Sequence, residues 1–185
     1  MQYTLMLWHA DHLNFDRLLT YLDAELRRLH DGSEPDYALM LDIMYYMTHY
    51  ADVLHHRKED IVFARMKARD PGLAASIDDL ARQHVRLREM GETMVRELND
   101  VLNGSIEPRA QVERAARTYV DAMRAHMRAE ESAILPRAGR LLSDRDWTEI
   151  DEAIANFDDP LFGSKEHDRY TRLRQQIDAE RGHPS

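Results

Sequence analysis

Cysteine is missing altogether from this chain of 185 residues. Its absence excludes disulfides, zinc knuckles, thiolate-held iron–sulfur clusters and a cysteine nucleophile, and it fits an intracellular setting. Long apolar runs are missing too. Nothing approaches the roughly 20 residues that a membrane span needs, and the apolar start Met1 to Trp8 has no basic flank and meets His9 and Asp11 too early for a secretory leader. A basic surface is also lacking: the formal charge of −9 argues against nucleic acid or an anionic membrane as partner. These absences predict a soluble, cytoplasmic protein. Glycine and proline are scarce, seven and six in all, and they mark breaks at Asp31-Gly32-Ser33-Glu34-Pro35, Asp70-Pro71-Gly72 and Asn103-Gly104-Ser105. The long unbroken stretches between those breaks predict an all-α chain.

Four of the stretches carry apolar residues at alternating spacings of three and four, the seam of helices packed at a shallow angle. The first reads Trp8, His12, Phe15, Leu19, Leu22, Leu26, Leu29. The second, from about Tyr37 to Arg69, reads Leu41, Met44, Thr48, Ala51, His55, Glu59, Val62, Met66. The third reads Ile77, Leu80, His84, Leu87, Gly91, Met94, Leu98, Val101, and the fourth, from about Arg109 to Leu142, reads Val112, Ala116, Tyr119, Met123, His126, Glu130, Ile134. Pro136 is expected to kink or interrupt the fourth helix. Such short gaps suit an up-down-up-down four-helix bundle over residues 1–142. Residues 143–185 are expected to add one or two C-terminal helices packed on the same domain: a short one from Ser143 through Trp147, Ile150, Ile154 and Phe157, then, after a loop at Asp158 to Gly163, one carrying Tyr170, Leu173 and Ile177, with a frayed tail from Gly182 to Ser185.

Histidine stands inside every one of the four seams. His55-His56-Arg57-Lys58-Glu59-Asp60 returns 71 positions later as His126-Met127-Arg128-Ala129-Glu130-Glu131, and a shift of 72 lays His84 on His12. Each half therefore offers a single histidine followed by His-x-x-x-Glu. Residues four apart share one face of a helix, so each pair aims an imidazole and a carboxylate the same way. A buried ionised carboxylate costs several kcal/mol unless it is paired or bound to a metal. Antiparallel helices bring four imidazoles and two carboxylates into one layer, a donor set that suits iron, manganese or zinc, and two acidic ligands fit two hard cations better than one. The zinc-protease pattern His-Glu-x-x-His is absent, and ferritin-like bundles place a lone Glu where this chain has a lone His.

On these motifs, from Trp8 to Leu142, the chain resembles the hemerythrin, or HHE cation-binding, family. Its ligand series is most similar to that of the repair-of-iron-centres di-iron proteins. The resemblance implies two iron ions with an oxo or hydroxo bridge, zinc or manganese being alternatives. It makes His12, His55, His84 and His126 terminal ligands and Glu59 and Glu130 bridging carboxylates. Oxygen or nitric oxide is the implied small ligand, and a redox partner and a homodimer are both compatible. Two features depart from relatives: the extra histidine that oxygen carriers have on the third helix is replaced by Leu80 and Arg88, so both metals should keep an open position, and the cysteine-bearing segment of repair proteins is missing. Glu131 competes with Glu130, because oxygen carriers space their acid one residue further on. His9, His56 and Asp60 are expected at the surface or behind the ligands, and Tyr45, Tyr46, Tyr50 and Tyr119 in the core near the same layer. The implied function is binding or sensing of a small ligand, or iron handling. Alternatives are a di-iron enzyme reducing peroxide or nitric oxide, an iron donor in repair of iron–sulfur centres, and a metal-free interaction bundle.

Overall fold

A computed structural model describes residues 3–105, 109–154, 159–162 and 168–181, and every regular element among them is helical. None of these helices is long and apolar enough to cross a membrane. The first helix, α1, spans Tyr3–His30 and buries the whole stripe from Trp8 to Leu29. It begins a turn earlier than the stripe, and Gly32, at φ 78°, takes the left-handed conformation that ends it.

The second seam is one helical rod made of three parts: α2 (Tyr37–Tyr46), a π-helical stretch at Met47–His55 and α3 (His56–Arg69). Asp36 caps its start by accepting from the Leu39 N–H at 2.9 Å. In the π stretch the ladder lengthens, so that the His56 N–H reaches the Ala51 carbonyl. A turn at Pro71–Leu73 leads into α4 (Ala74–Leu102).

The fourth seam is also composite. It runs through α5 (Arg109–Ala129), a π turn at Glu130–Ile134 and α6 (Leu135–Leu141). Pro136 therefore neither breaks nor ends the rod. Its ring would meet the Ser132 carbonyl in α geometry and it has no N–H to give, and the chain widens by one residue just before it, with the Leu135 N–H bonded to the Glu130 carbonyl.

These rods pack in a closed ring: α1 on α2 and α5, and α4 on α2 and α5. Their apolar side chains form two clusters, one around Phe15, Leu22, Met44, Leu87 and Met123, the other around Trp8, Val62, Met66, Leu80 and Ile134. Every rod passes from one cluster to the other through its histidine. The chain then adds α7 (Asp144–Ile154), which touches α1 and α3, and α8 (Thr171–Arg181), which touches α2. Ser143 and Asp146 cap α7 reciprocally, the Ser143 N–H donating to Asp146 Oδ2 at 2.9 Å and the Asp146 N–H to Ser143 Oγ at 3.3 Å. The same Asp146 carboxylate accepts from Arg69 at 2.8 Å, tying α7 to α3, and that guanidinium holds its pKa well below the usual carboxylate range. Tyr170, Leu173 and Ile177 are buried as expected. Phe157, Asp158, Gly163 and the tail from Gly182 lie outside the described residues.

Candidate metal centre

Between the two apolar clusters lies a layer of charge. His12, His55, Glu59, His84, His126 and Glu130 are all buried, with Glu130 at 0% and Glu59 at 1% exposure. The imidazoles fall into two pairs, and each carboxylate reaches both. Glu59 Oε1 lies 2.8 Å from His55 Nε2 and 3.5 Å from His12 Nε2, while its Oε2 lies 3.2 Å from His84 Nε2. Glu130 repeats this from the other side: Oε1 is 3.3 Å from His126 Nε2 and 3.6 Å from His84 Nε2, and Oε2 is 3.4 Å from His12 Nε2.

At these separations the atoms are not hydrogen-bonded to one another. Both oxygens of Glu59, both oxygens of Glu130 and Nε2 of His55 have no hydrogen-bond partner, although all are buried. Buried polar atoms are normally satisfied, so lone pairs that converge on a common point instead are a donor set for a cation. Their spacing agrees. Neighbouring ligands about 2.1 Å from one octahedral metal stand roughly 3 Å apart, and His84 Nε2 and His126 Nε2 are 3.1 Å apart. The set is imidazole and carboxylate without thiolate, which suits iron, manganese or zinc. One contact competes: the Trp8 indole N–H donates to His12 Nε2 at 3.1 Å and must yield that nitrogen to a metal.

Behind the layer, each imidazole presents Nδ1 to an oxygen. His12 meets Glu131 at 2.9 Å, His55 meets Asp11 at 2.8 Å and His126 meets Gln83 at 3.1 Å, while His84 faces Asp60 at 3.4 Å. Such outer contacts fix the tautomer that leaves Nε2 free for a metal. Asp11 and Gln83 are functional residues that the motif reading missed, yet the internal repeat contains them. The shift that lays His12 on His84 lays Asp11 on Gln83, and the shift that lays Glu59 on Glu130 lays Asp60 on Glu131.

The site residues and their rivals are therefore separated in space. Glu131 also accepts from His9 at 2.9 Å and sits outside the layer, so Glu130, not Glu131, stands among the four imidazoles. Among the tyrosines, Tyr46 donates to Asp159 at 2.7 Å and Tyr50 to Asp11 at 3.3 Å, while the buried Tyr119 hydroxyl has no hydrogen-bond partner. His56 departs from expectation. It is 2% exposed, not at the surface, and its ring stacks on His84 with centroids 4.0 Å apart. The cause is the breadth of the buried face: this rod is flanked by α1 on one side and α4 on the other, so two adjacent stripes turn inward.

Electrostatics couple the layer tightly. Burial opposes the imidazolium of His12, but Glu130 and Glu59 outweigh it and raise its pKa to about 10. Burial likewise opposes the charged form of His84, and Asp60, Glu130 and Glu59 raise it to about 11. Burial works against the Glu59 carboxylate, yet His55, His12 and His84 hold its pKa well below the ordinary value. Burial pushes His126 and His56 down, His56 strongly. Beside His12 the layer opens onto a cleft of about 480 Å³, whose wall includes Met127, Arg128 and Glu131.

The sequence profile described as the hemerythrin HHE cation binding domain matches residues 4–138, a span that begins inside α1 and ends inside α6 and so contains all four rods and every residue of the layer. No curated protein and no solved structure matches the chain.

Proposed function

Because the chain belongs to the hemerythrin family of HHE cation-binding domains, we propose that it holds two iron ions and uses them to bind or sense a small ligand, oxygen or nitric oxide, or to handle iron. One observation carries this reading: two buried carboxylates each turn one oxygen toward each pair of imidazoles. His12 and His55 then serve one iron, His84 and His126 the other, and Glu59 and Glu130 bridge them, in an up-down-up-down bundle over residues 1–142 with 143–185 as its extension. An iron pair supplies a redox-active Lewis acid able to bind a diatomic ligand. The protein's part is to hold the donors rigid and dry. Glu131, Asp11, Asp60 and Gln83 keep each Nδ1 occupied, the two apolar clusters exclude water above and below, and the cleft beside His12 gives a small molecule its approach.

Metal analysis of protein expressed with ample iron and purified without added metal is expected to return about two irons per chain. One zinc, or no metal, overturns the proposal. Charge balance supplies a second measurement. His12 and His84, with pKa values of about 10 and about 11, are protonated at neutral pH in the metal-free chain and must be neutral to coordinate. Ferrous ion added to metal-free protein at pH 7 should therefore release about two protons per chain, and affinity should rise with pH and fall in acid. An indicator titration in weak buffer reads this directly; uptake of iron with no proton released contradicts the ligand set.

A further inference from the structure

The internal repeat is not perfect, and it fails at one pair of positions inside the layer. Asp52 and His56, on the rod of the first half, correspond to Met123 and Met127 in the second. All four are buried. One half thus sets a carboxyl and an imidazole beside the centre where the other sets two thioethers.

His56 has the attributes of a ligand. Its ring lies with Glu59, His84 and His126 in a group whose donor atoms are all within 4.8 Å of one another. Its Nδ1 faces Asp52 Oδ1 at 3.4 Å, the same outward orientation toward an oxygen that His12, His55, His84 and His126 adopt. That Nδ1 makes no hydrogen bond, and both oxygens of Asp52 are likewise unsatisfied, which is costly for groups so deeply buried unless the pair has work to do. Nothing but the ligand layer lies on the other side of the ring, where it meets His84 face to face and His126 edge-on.

We propose that His56 is a fifth imidazole of the centre, ligating the metal held by His84 and His126 with Asp52 as the carboxyl behind it. This assignment rests on the di-iron reading above. It replaces the expectation that both metals keep an open position: the His84 and His126 side has three imidazoles, two bridging carboxylates and whatever oxygen joins the metals, which fills an octahedron. The His12 and His55 side has one imidazole fewer, with Met127 in the place that corresponds to His56. That is also the side on which the cleft opens, so the exogenous ligand is confined to one metal of the two.

The test uses the full chain loaded with ⁵⁷Fe and Mössbauer spectroscopy of its oxidised form. The wild type should show two quadrupole doublets of equal area. His56→Phe keeps a ring to stack on His84 but has no nitrogen to donate; it should move one doublet, leave the other in place, and speed the release of one iron to a chelator at least about tenfold. His56→Ala should behave alike and regain the wild-type spectrum when imidazole is added, which keeps the test open if the phenylalanine variant does not fold. Two irons with both doublets unchanged in either folded variant overturns the role of His56 alone. A wild-type chain that retains no iron overturns the di-iron reading and this assignment together.

Discussion

Glu59→Ala is expected to lower retained iron from about two to fewer than one per chain, the largest loss of any single substitution in the layer. The residue gives one oxygen to each imidazole pair, so its removal costs both metals a ligand at once. It is also the countercharge for protonated His12 and His84 in the metal-free chain. Removing one partner from a buried charge network typically costs on the order of 3 kcal/mol, and the metal-free variant should melt at lower temperature as well. Glu130→Ala should resemble it, because that carboxylate spans the same two pairs. Glu131→Ala should keep most of its iron, since Glu131 touches only Nδ1 of His12 and of His9. Iron content measured on the three variants side by side decides the matter. Loss in Glu131→Ala with retention in Glu130→Ala would show that the bridging role had been given to the wrong neighbour.

The second large effect concerns packing. Gly91→Ala should destabilise the protein, although alanine ordinarily gains about 1 kcal/mol over glycine within a helix. A Cβ at this position of α4 would stand 2.7 Å from Thr48 Cγ2, and 3.5 and 3.6 Å from Tyr119 Cε2 and Asp52 Oδ2. Thr48 cannot swing away freely. Its hydroxyl donates to the Met44 and Tyr45 carbonyls at 2.9 and 3.2 Å inside the π-helical stretch. Overpacking of this kind costs about 1–3 kcal/mol, so the net loss is about 1–2 kcal/mol, or a fall in Tm of roughly 3–6 °C in a chain of this size. Thr48→Ser removes the obstructing methyl and keeps the hydroxyl. The double variant should therefore recover stability beyond the sum of the two single changes. A Tm that rises in Gly91→Ala alone would refute the close approach of α4 to the π stretch.

Much of this architecture is legible in the chain itself, because hydrophobic periodicity reports on whichever face meets a neighbour. The stripe from Trp8 to Leu29 and that from Ile77 to Leu98 are buried as their spacing predicts. The π turns are not legible. One extra residue in a turn leaves a stripe intact when residues on both sides of it are buried, and only the bond from His56 to the Ala51 carbonyl reveals it. Pro136 signals a disturbance but not its form, since widening the helix satisfies the backbone as well as breaking it. His56 escapes for a different reason. A repeat argument rewards what the halves share, and this histidine faces a methionine in the other half. The outer contacts stand between these cases: Asp11 with Gln83, and Asp60 with Glu131, are written in the same repeat as the ligands, but nothing about their residue types marks them until His55, His126, His84 and His12 are seen to lean on them.

The layer's donors run from His12 to Glu130, across most of the bundle's length in sequence. A metal gripped from all four rods is therefore a cross-link that closes a loop of roughly 120 residues, and a covalent bridge of that span stabilises a chain by about 5 kcal/mol through the lost freedom of its unfolded state. A polypeptide with no cysteine has no sulfur bridge to play this part. It carries instead a fastener that chelators open and that cannot be completed during synthesis until the fourth rod has emerged, so that the supply of metal, rather than the redox state of the surroundings, governs when the chain is locked.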